Sequence, residues 1–105
     1  MDEFDKLIAD DKLTLADFFA TWCAPCKAMH GVIEILERSM AGRINIVKLD
    51  IDAPRNAALT LRYRITSVPT LMLFRRGEIR WRGAGLVGAE YLTGIINRFG
   101  QPQEA

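Results

Sequence analysis

The pattern of apolar and polar positions divides the first half of the chain into a strand, a helix and a second strand. Residues 13–20 (LTLADFFA) are almost continuously apolar, which is typical of a strand buried on both faces. Apolar residues then recur at helical spacing from Pro25 to about Gly42, at Met29, Val32, Ile33, Leu36 and Met40. Residues 44–51 (INIVKLDI) predict the second strand. This order predicts a right-handed βαβ unit with parallel strands.

Helical spacing predicts three further, shorter helices. The first covers residues 2–10, in an acidic opening segment. Asp52 is expected to cap a second helix, which ends near Tyr63. Apolar residues within 91–99 predict a terminal helix, and the last six residues, 100–105, are expected to fray.

The remaining segment predicts a β-hairpin. Residues 70–74 (TLMLF) and 78–82 (EIRWR) are its two predicted strands, and Arg76 and Gly77 form the turn between them. One βαβ half joined to one ββα half predicts an α/β fold, with a mixed central sheet of about four strands flanked by helices. The expected strand order is 44–51, 13–20, 70–75, 78–82, with the last two strands antiparallel to the others.

Length, charge and the opening residues exclude several classes of protein. At 105 residues the chain is expected to form a single domain, residues 1–105, that buries a core without disulfides. A net charge of +1 gives no global field that would attract nucleic acid. The first residues lack the basic and apolar regions of a secretory signal, and no apolar run is long enough to cross a membrane. We therefore expect a cytoplasmic protein.

Both cysteines of the chain lie in the segment 20-ATWCAPCKAMH-30. As a structural staple the pair is weak, because closing a ring of about four residues contributes only about 2 kcal/mol. A closed zinc site needs four ligands, and Cys23, Cys26 and His30 supply three, so a second chain would have to contribute. Haem attachment needs a histidine directly after the second cysteine, where this chain has Lys27. We interpret His30 as a surface residue of the helix.

The predicted position of the pair favours redox chemistry. Cys23 comes just after the first strand, and Pro25 stands where the helix begins. The unpaired N–H groups and the positive dipole end of a helix stabilise a thiolate, so we expect a lowered pKa for Cys23. Cys26 lies one turn inside the helix and should be shielded. One reactive and one shielded cysteine suit thiol–disulfide exchange, and metal binding stays as an alternative.

Four features in order resemble the thioredoxin family over nearly the whole chain. They are DFFATWCAPCK (17–27), VKLDID (47–52), YRITSVPTLMLFRRGE (63–78) and Gly85. The resemblance implies a thioredoxin fold, here without the amino-terminal edge strand of the family. It also implies a single thioredoxin-like domain that needs no bound cofactor.

The resemblance further implies roles for individual residues. Cys23 would attack a substrate disulfide, and Cys26 would resolve the resulting mixed disulfide. Pro69 would be a cis-proline facing the cysteines, and the backbone of Val68 would pair with the substrate chain. The rest of the substrate groove would be formed by Trp22, Ala24, Pro25, Ser67 and Gly85.

Asp17 is the most informative charged residue. A carboxylate in the middle of a buried strand is costly unless it is protonated, paired or functional. Lys48, in the second strand, is a candidate partner; the alternative is that both residues lie at solvated strand ends. Because the resemblance places both behind the cysteines, we predict that Asp17 accepts a proton from Cys26 and that Lys48 assists it.

The predicted function is that of a monomeric dithiol reductant of protein disulfides, recharged by a thioredoxin reductase that uses NADPH. Three residues depart from the usual pattern of the family. Ala24 replaces a glycine between the cysteines, Phe19 replaces a common tryptophan, and Gly31 replaces a proline of the helix. The change at Ala24 keeps open a more oxidising oxidase or isomerase. A binding module with a metal-bridged cysteine pair is the alternative outside enzymes.

Overall fold

A computed structural model describes residues 2–100 of the chain. Helices and strands alternate through most of it, and a hairpin precedes the last helix. The elements are α1 (Glu3–Ile8), β1 (Thr14–Phe19), α2 (Ala24–Ser39), β2 (Asn45–Asp50), a 3-10 turn (Pro54–Asn56), α3 (Ala57–Arg62), β3 (Thr70–Arg75), β4 (Glu78–Ala84) and α4 (Ala89–Phe99). The predicted α/β order is therefore confirmed, with boundaries within a few residues of those expected.

The four strands form one mixed sheet in the order β2-β1-β3-β4. β1 pairs in parallel with β2 and antiparallel with β3, and β3 pairs antiparallel with β4. The predicted strand order is confirmed, and so is the predicted antiparallel direction of β3. The predicted direction of β4 is wrong: as the hairpin partner of β3, β4 runs in the same direction as β1 and β2. In the hairpin turn Arg76 and Gly77 both have positive φ, 53° and 80°, which matches the right-handed twist of the flanking strands.

Alternate residues of β1 face two different hydrophobic cores. Leu15 packs in a core with residues of α2 and α4, such as Met29 and Ile96. Phe18 packs on the other face, in a core with Phe4 of α1 and Leu59 of α3. Burying a side chain of this size contributes about 1.5–3 kcal/mol, so helices on both faces explain why the β1 sequence is almost continuously apolar.

The same alternation gives Asp17 its position. Residues at every second position of a strand share one face of the sheet, so Asp17 lies on the face of Leu15, beneath α2. Its register partners are Lys48 on β2 and Leu71 on β3. The charged residue of β1 is thus enclosed by a helix above it and by strands on both sides.

Helix α2 begins at the cysteines. Cys23 is its N-cap residue, and Pro25 occupies a first-turn position, where a proline costs no hydrogen bond. The helix continues unbroken through Gly31 to Ser39, and Gly42, with φ of 79°, follows its end. The glycine that replaces the family's proline therefore does not interrupt the helix.

Among the described residues β2 forms one edge of the sheet, as predicted. Within residues 2–100, the opening segment is helical and not extended along this edge. Lys48 is exposed on β2, and a charged side chain on an edge strand discourages pairing with another chain.

Two expectations about chain ends and caps need comment. The prediction that Asp52 caps the following helix is wrong: Ala53 precedes the 3-10 turn, no side chain caps it, and the Asp52 carboxylate binds Trp22 instead. The expected fraying of residues 100–105 falls outside the described residues, apart from Gly100, which ends α4.

Candidate active site

Cys23 and Cys26 are joined in a disulfide at the start of α2, directly after β1. Their Cα atoms are 5.2 Å apart, within the usual range for a bridge. The backbone N–H of Cys26 donates a hydrogen bond to Cys23 Sγ at 3.2 Å. The first turn of the helix therefore directs a backbone donor at one sulfur of the pair.

The two cysteines differ in their access to solvent. Cys26 is fully buried, whereas Cys23 retains 5% of its surface. The neighbours of Cys23 are open: Trp22 is 70% exposed, and Ala24 and Pro25 are also exposed. The expected shielding of Cys26 is confirmed, and a reagent approaching from solvent meets Cys23 first.

The loop before β3 faces Cys23. The Val68–Pro69 peptide bond is cis, as the resemblance implied. Cys23 Sγ lies 3.6 Å from the carbonyl oxygen of Val68. Two contacts fix the loop: Thr70 Oγ1 donates to the Ser67 carbonyl at 2.7 Å, and the Gly85 N–H donates to the Pro69 carbonyl at 2.9 Å. The fold therefore places this loop against the cysteines.

Trp22 is oriented by a contact that sequence reasoning missed. Its Nε1–H donates a hydrogen bond to Asp52 Oδ2 at 2.9 Å, and the Asp52 backbone N–H donates to Asp50 Oδ1 at 2.9 Å. The loop after β2 thereby holds the exposed indole ring beside the disulfide. Asp52 lies thirty residues after Trp22, so only the parallel pairing of β1 and β2 could have indicated the contact.

Asp17 is completely buried, and within the described residues neither of its side-chain oxygens accepts a hydrogen bond. Burial raises the pKa of its carboxyl from 3.8 to about 6, and the positive charge of Lys48 offsets part of that rise. The predicted burial, the neighbourhood of Lys48 and the raised pKa are therefore confirmed. A carboxyl with such a pKa gains and loses its proton near neutral pH.

Lys48 is an electrostatic neighbour of Asp17 and has a different ion-pair partner. Its Nζ lies 3.6 Å from Glu37 Oε1 on α2, and its side chain is more than one-third exposed. The register of β1 and β2 pairs the backbones of Asp17 and Lys48, but the long side chain extends along the edge strand to Glu37.

The interpretation of His30 as a surface residue is only partly right, because the ring is half-buried against the sheet. Its side chain is only 31% exposed, and its Nε2 lies 3.6 Å from Asp17 Oδ2. The imidazole also packs edge-on against the ring of Phe19, with centroids 4.7 Å apart. The spacing of four residues between Cys26 and His30 was the available signal, because such residues share one face of a helix.

The metal alternative gains no ligands from the fold. Among residues 2–100, no group of three or more His, Cys, Asp or Glu side chains is arranged to hold a metal ion. No helix within that range is long and apolar enough to cross a membrane.

What the fold brings together is a disulfide at a helix N-terminus, a facing cis-proline loop and a buried carboxyl. These features define a thiol–disulfide oxidoreductase.

Comparison with known proteins identifies the family. The sequence profile of the Thioredoxin family matches residues 1–98, and the chain belongs to that family. It is 39% identical to a thioredoxin of Chlamydia pneumoniae, over 92% of this chain and 91% of the relative. It is 36% identical to a thioredoxin of Bacillus subtilis (strain 168), over 82% and 81% of the two chains.

Comparison with solved structures also indicates the thioredoxin fold. A mutant thioredoxin from Halobacterium salinarum NRC-1 superimposes with a TM-score of 0.84 at 33% identity, covering 97% of this chain and 87% of that one. Family and site together make this chain a dithiol–disulfide reductase that acts on disulfide substrates through Cys23 and Cys26.

Proposed function

We propose that Cys23 is the nucleophile of this reductase and that Cys26 is the resolving thiol. The observation that carries the assignment is the asymmetry of the pair at the start of α2. Cys23 Sγ receives the Cys26 N–H and borders the exposed residues Trp22 and Ala24, whereas Cys26 is fully buried. A thiolate at Cys23 keeps that hydrogen bond and lies at the positive end of the helix dipole.

The reaction consists of two exchanges. The Cys23 thiolate attacks one sulfur of the substrate disulfide, so that a mixed disulfide forms and the other substrate sulfur leaves as a thiolate. The Cys26 thiol then loses its proton, and its thiolate attacks Cys23 Sγ. The second substrate sulfur leaves, and the Cys23–Cys26 disulfide forms. The substrate gains two electrons, and this chain loses two.

Asp17 is proposed as the base that takes the proton of Cys26. It lies on the sheet face beneath α2, the helix that carries Cys26, and it is the buried ionisable group of that face. A general base is most effective when its pKa lies near the working pH, and burial moves the pKa of Asp17 to about 6. Lys48 is proposed to assist by holding the carboxylate form through its positive charge.

The substrate chain is proposed to dock across the loop that faces Cys23. Trp22, Ala24, Pro25 and Ser67 are exposed around the disulfide, and Gly85 anchors the loop through the Pro69 carbonyl. The Val68 backbone would pair with the substrate as a short added strand.

An apolar groove of about 500 Å³ extends this docking surface along α3. Ile51 packs against the cysteines and also lines the groove with Leu61 and Ile65. Leu61 is largely exposed, and an exposed apolar surface beside a reactive disulfide favours protein substrates over small molecules.

The physiological setting is also part of the proposal. A thioredoxin reductase would return two electrons from NADPH to the Cys23–Cys26 disulfide after each turnover. The chain, residues 1–105, would act as one monomeric thioredoxin-like domain in the cytoplasm. The similarity to bacterial thioredoxins along most of their length supports this setting.

Equilibration with glutathione buffers tests the direction of the reaction. We expect the disulfide to persist until reduced glutathione is in large excess, as measured by acid quenching, alkylation and mass spectrometry. Half-reduction in a mildly oxidising buffer, near the roughly −180 mV of protein disulfide isomerase, would make the chain an oxidase or isomerase. Ala24, which departs from the usual glycine, is the feature that favours that second candidate. Ala24→Gly is the matched variant that measures its contribution.

A further inference from the structure

His30 lies between the buried carboxyl of Asp17 and solvent. Its Nε2 is 3.6 Å from Asp17 Oδ2, and about one-third of its side chain is exposed. Within residues 2–100, Asp17 Oδ1, Asp17 Oδ2 and His30 Nε2 are all buried atoms without a hydrogen-bond partner. Unpaired buried polar atoms are costly, so two such groups facing each other indicate a functional pair.

The fold fixes the position of this imidazole. Cys26 and His30 are four residues apart on α2 and share the side of the helix that faces the sheet. Asp17 and Phe19 are two residues apart on β1 and share the face that lies beneath α2. The edge-on contact of His30 with Phe19, at an interplanar angle of 80°, holds the ring beside Asp17.

Other charged groups surround the pair, but they have other contacts or are exposed. Lys48 on β2 acts on Asp17 through its charge, and its Nζ lies beside Glu37. Asp50, the register partner of Phe19, accepts a hydrogen bond from the Asp52 backbone. Lys27 and Glu34, one turn to either side of His30 on α2, are exposed. Of these groups, His30 alone is a potential cation within 4 Å of the Asp17 carboxyl.

We propose that His30 is a positioning residue which, when protonated, pairs with Asp17 and holds the buried carboxyl in its ionised form. A protonated imidazole 3.6 Å from the carboxylate supplies positive charge where burial has removed water, and the exposed part of the ring keeps it in contact with solvent. The inference rests on the proposed role of Asp17 as the base for Cys26. In that step the proton of the Cys26 thiol goes to the Asp17 carboxylate, and His30 keeps its own proton.

The expected consequence is a reductase whose resolving step keeps working below neutral pH. Loss of the imidazolium leaves Asp17 with less compensation for its burial, so that its carboxyl takes up a proton at higher pH. In His30→Gln we expect the acid limb of the resolving rate to move up by about half to one pH unit, which is about three- to tenfold slower near pH 5.5. At the alkaline end of the profile the pair no longer carries a proton on the imidazole, and the two rates should agree within about twofold.

Rapid mixing with a symmetrical aromatic disulfide that releases a coloured thiolate measures both steps. The first equivalent of thiolate reports attack by Cys23, and the second reports resolution by Cys26. Rates are recorded from pH 5 to 9 for the wild type, His30→Gln and Asp17→Asn. Arg38→Gln is the matched control, because it removes an exposed cation of α2 far from Asp17; its pH profile should coincide with that of the wild type.

The double variant separates this inference from the proposed function. If Asp17 is the base, Asp17→Asn alone slows resolution, and adding His30→Gln to it changes the acid limb no further. Slow resolution in Asp17→Asn with an unchanged limb in His30→Gln would overturn the role of His30 only. Unchanged resolution in Asp17→Asn would overturn the proposed base and this inference together. Equal slowing by His30→Gln at every pH would show a structural role and also overturn the inference. Carbon-13 NMR of the Asp17 carboxyl supplies a second readout, and its pKa should rise in His30→Gln.

Discussion

The two cysteines are three residues apart, but their surroundings are of different kinds. The docking side, formed by Trp22, Cys23 and the loop at Val68–Pro69, consists of one exposed ring, a sulfur that retains a little exposed surface, and the backbone of the loop. The buried side, formed by Asp17, Cys26 and His30, contains ionisable side chains enclosed by α2 and the sheet. Backbone donors activate a thiol without titrating, whereas a shielded thiol needs a base. Both exchanges need a thiolate, but the first should depend on the helix N-terminus that stabilises it and the second on a side-chain base.

Removing either cysteine sulfur should have the largest effect on disulfide reduction. Cys23→Ser should abolish disulfide reduction, because the substrate then meets no accessible thiolate. Cys26→Ser should still attack once and then stop as a mixed disulfide, because the resolving sulfur is missing. Mass spectrometry of both variants after incubation with a disulfide-bonded peptide distinguishes the two outcomes. A stable adduct on Cys23→Ser would reverse the assignment of the two roles.

Replacing the buried carboxyl should affect the second exchange alone. Asp17→Asn keeps the volume of the side chain but cannot take the proton of Cys26, so we expect resolution to slow by about tenfold to a hundredfold. The first attack by Cys23 should change by less than about threefold. Rapid mixing separates attack by Cys23 from resolution by Cys26. Equal slowing of both steps would show that Asp17 does not act on the second exchange alone.

The same variant tests the burial of the carboxyl through stability. The pKa of Asp17 is raised on folding from 3.8 to about 6, so the folded state binds more protons than the unfolded state between those values. Stability of the wild type relative to Asp17→Asn should be greatest below about pH 4 and should fall as pH rises through 6. Two pKa units correspond to a loss of about 3 kcal/mol. Urea unfolding of both proteins across this range measures it, and a relative gain with rising pH would show Asp17 to be a paired or exposed ion.

Releasing the indole should weaken docking by a smaller factor. Asp52→Ala removes the acceptor of the Trp22 Nε1–H, and a hydrogen bond to a charged group in an exposed setting contributes about 1 kcal/mol. We expect KM for a protein disulfide to rise by about two- to fivefold, with little change in the resolving rate. Steady-state kinetics give KM, and tryptophan fluorescence in a Trp81→Phe background, where Trp22 is the remaining tryptophan, reports whether the ring has moved. A slower resolving step with unchanged KM would show that Trp22 acts in resolution by Cys26 and not in substrate docking.

Stiffening α2 should have the smallest effect. A side chain at the exposed Gly31 meets no atom within 4 Å, so Gly31→Ala should stabilise the fold by about 0.5–1 kcal/mol. Because the buried side acts through charge, both exchange rates should stay within about twofold of the wild type. Thermal unfolding measures the gain in stability, and rapid mixing measures the two exchange rates. A large rate change would indicate that helix motion contributes to resolution.

The sequence predicted the docking side better than the buried side, for a physical reason. Apolar periodicity fixes which residues face the core, so the helices and strands and the positions of Cys23 and Cys26 at the start of α2 followed from it. The burial of Asp17 followed as well, because it interrupts an apolar strand. The cis bond at Pro69 rested on the family resemblance, since local sequence seldom determines it.

Contacts between distant side chains could not be predicted in the same way. Lys48 and Asp17 are register partners. A long flexible side chain can reach several carboxylates, however, and the ammonium group of Lys48 contacts Glu37. Asp52 was expected to cap a helix, but it accepts the indole N–H of Trp22. His30 was placed at the surface because a lone polar residue on a helix usually faces solvent. Its actual position depends on the rotation of α2 over β1, which sequence spacing gives only roughly.

Competitive alkylation of the reduced protein tests the division between the two sides most directly. Reduced wild-type protein is treated briefly with less than one equivalent of iodoacetamide at neutral pH, and the labelled peptide is mapped by mass spectrometry. We expect Cys23 to be labelled first and Cys26 to react only after unfolding, because Cys23 retains 5% of its surface at the helix N-terminus and Cys26 is fully buried. Preferential labelling of Cys26 in the folded protein would contradict this expectation.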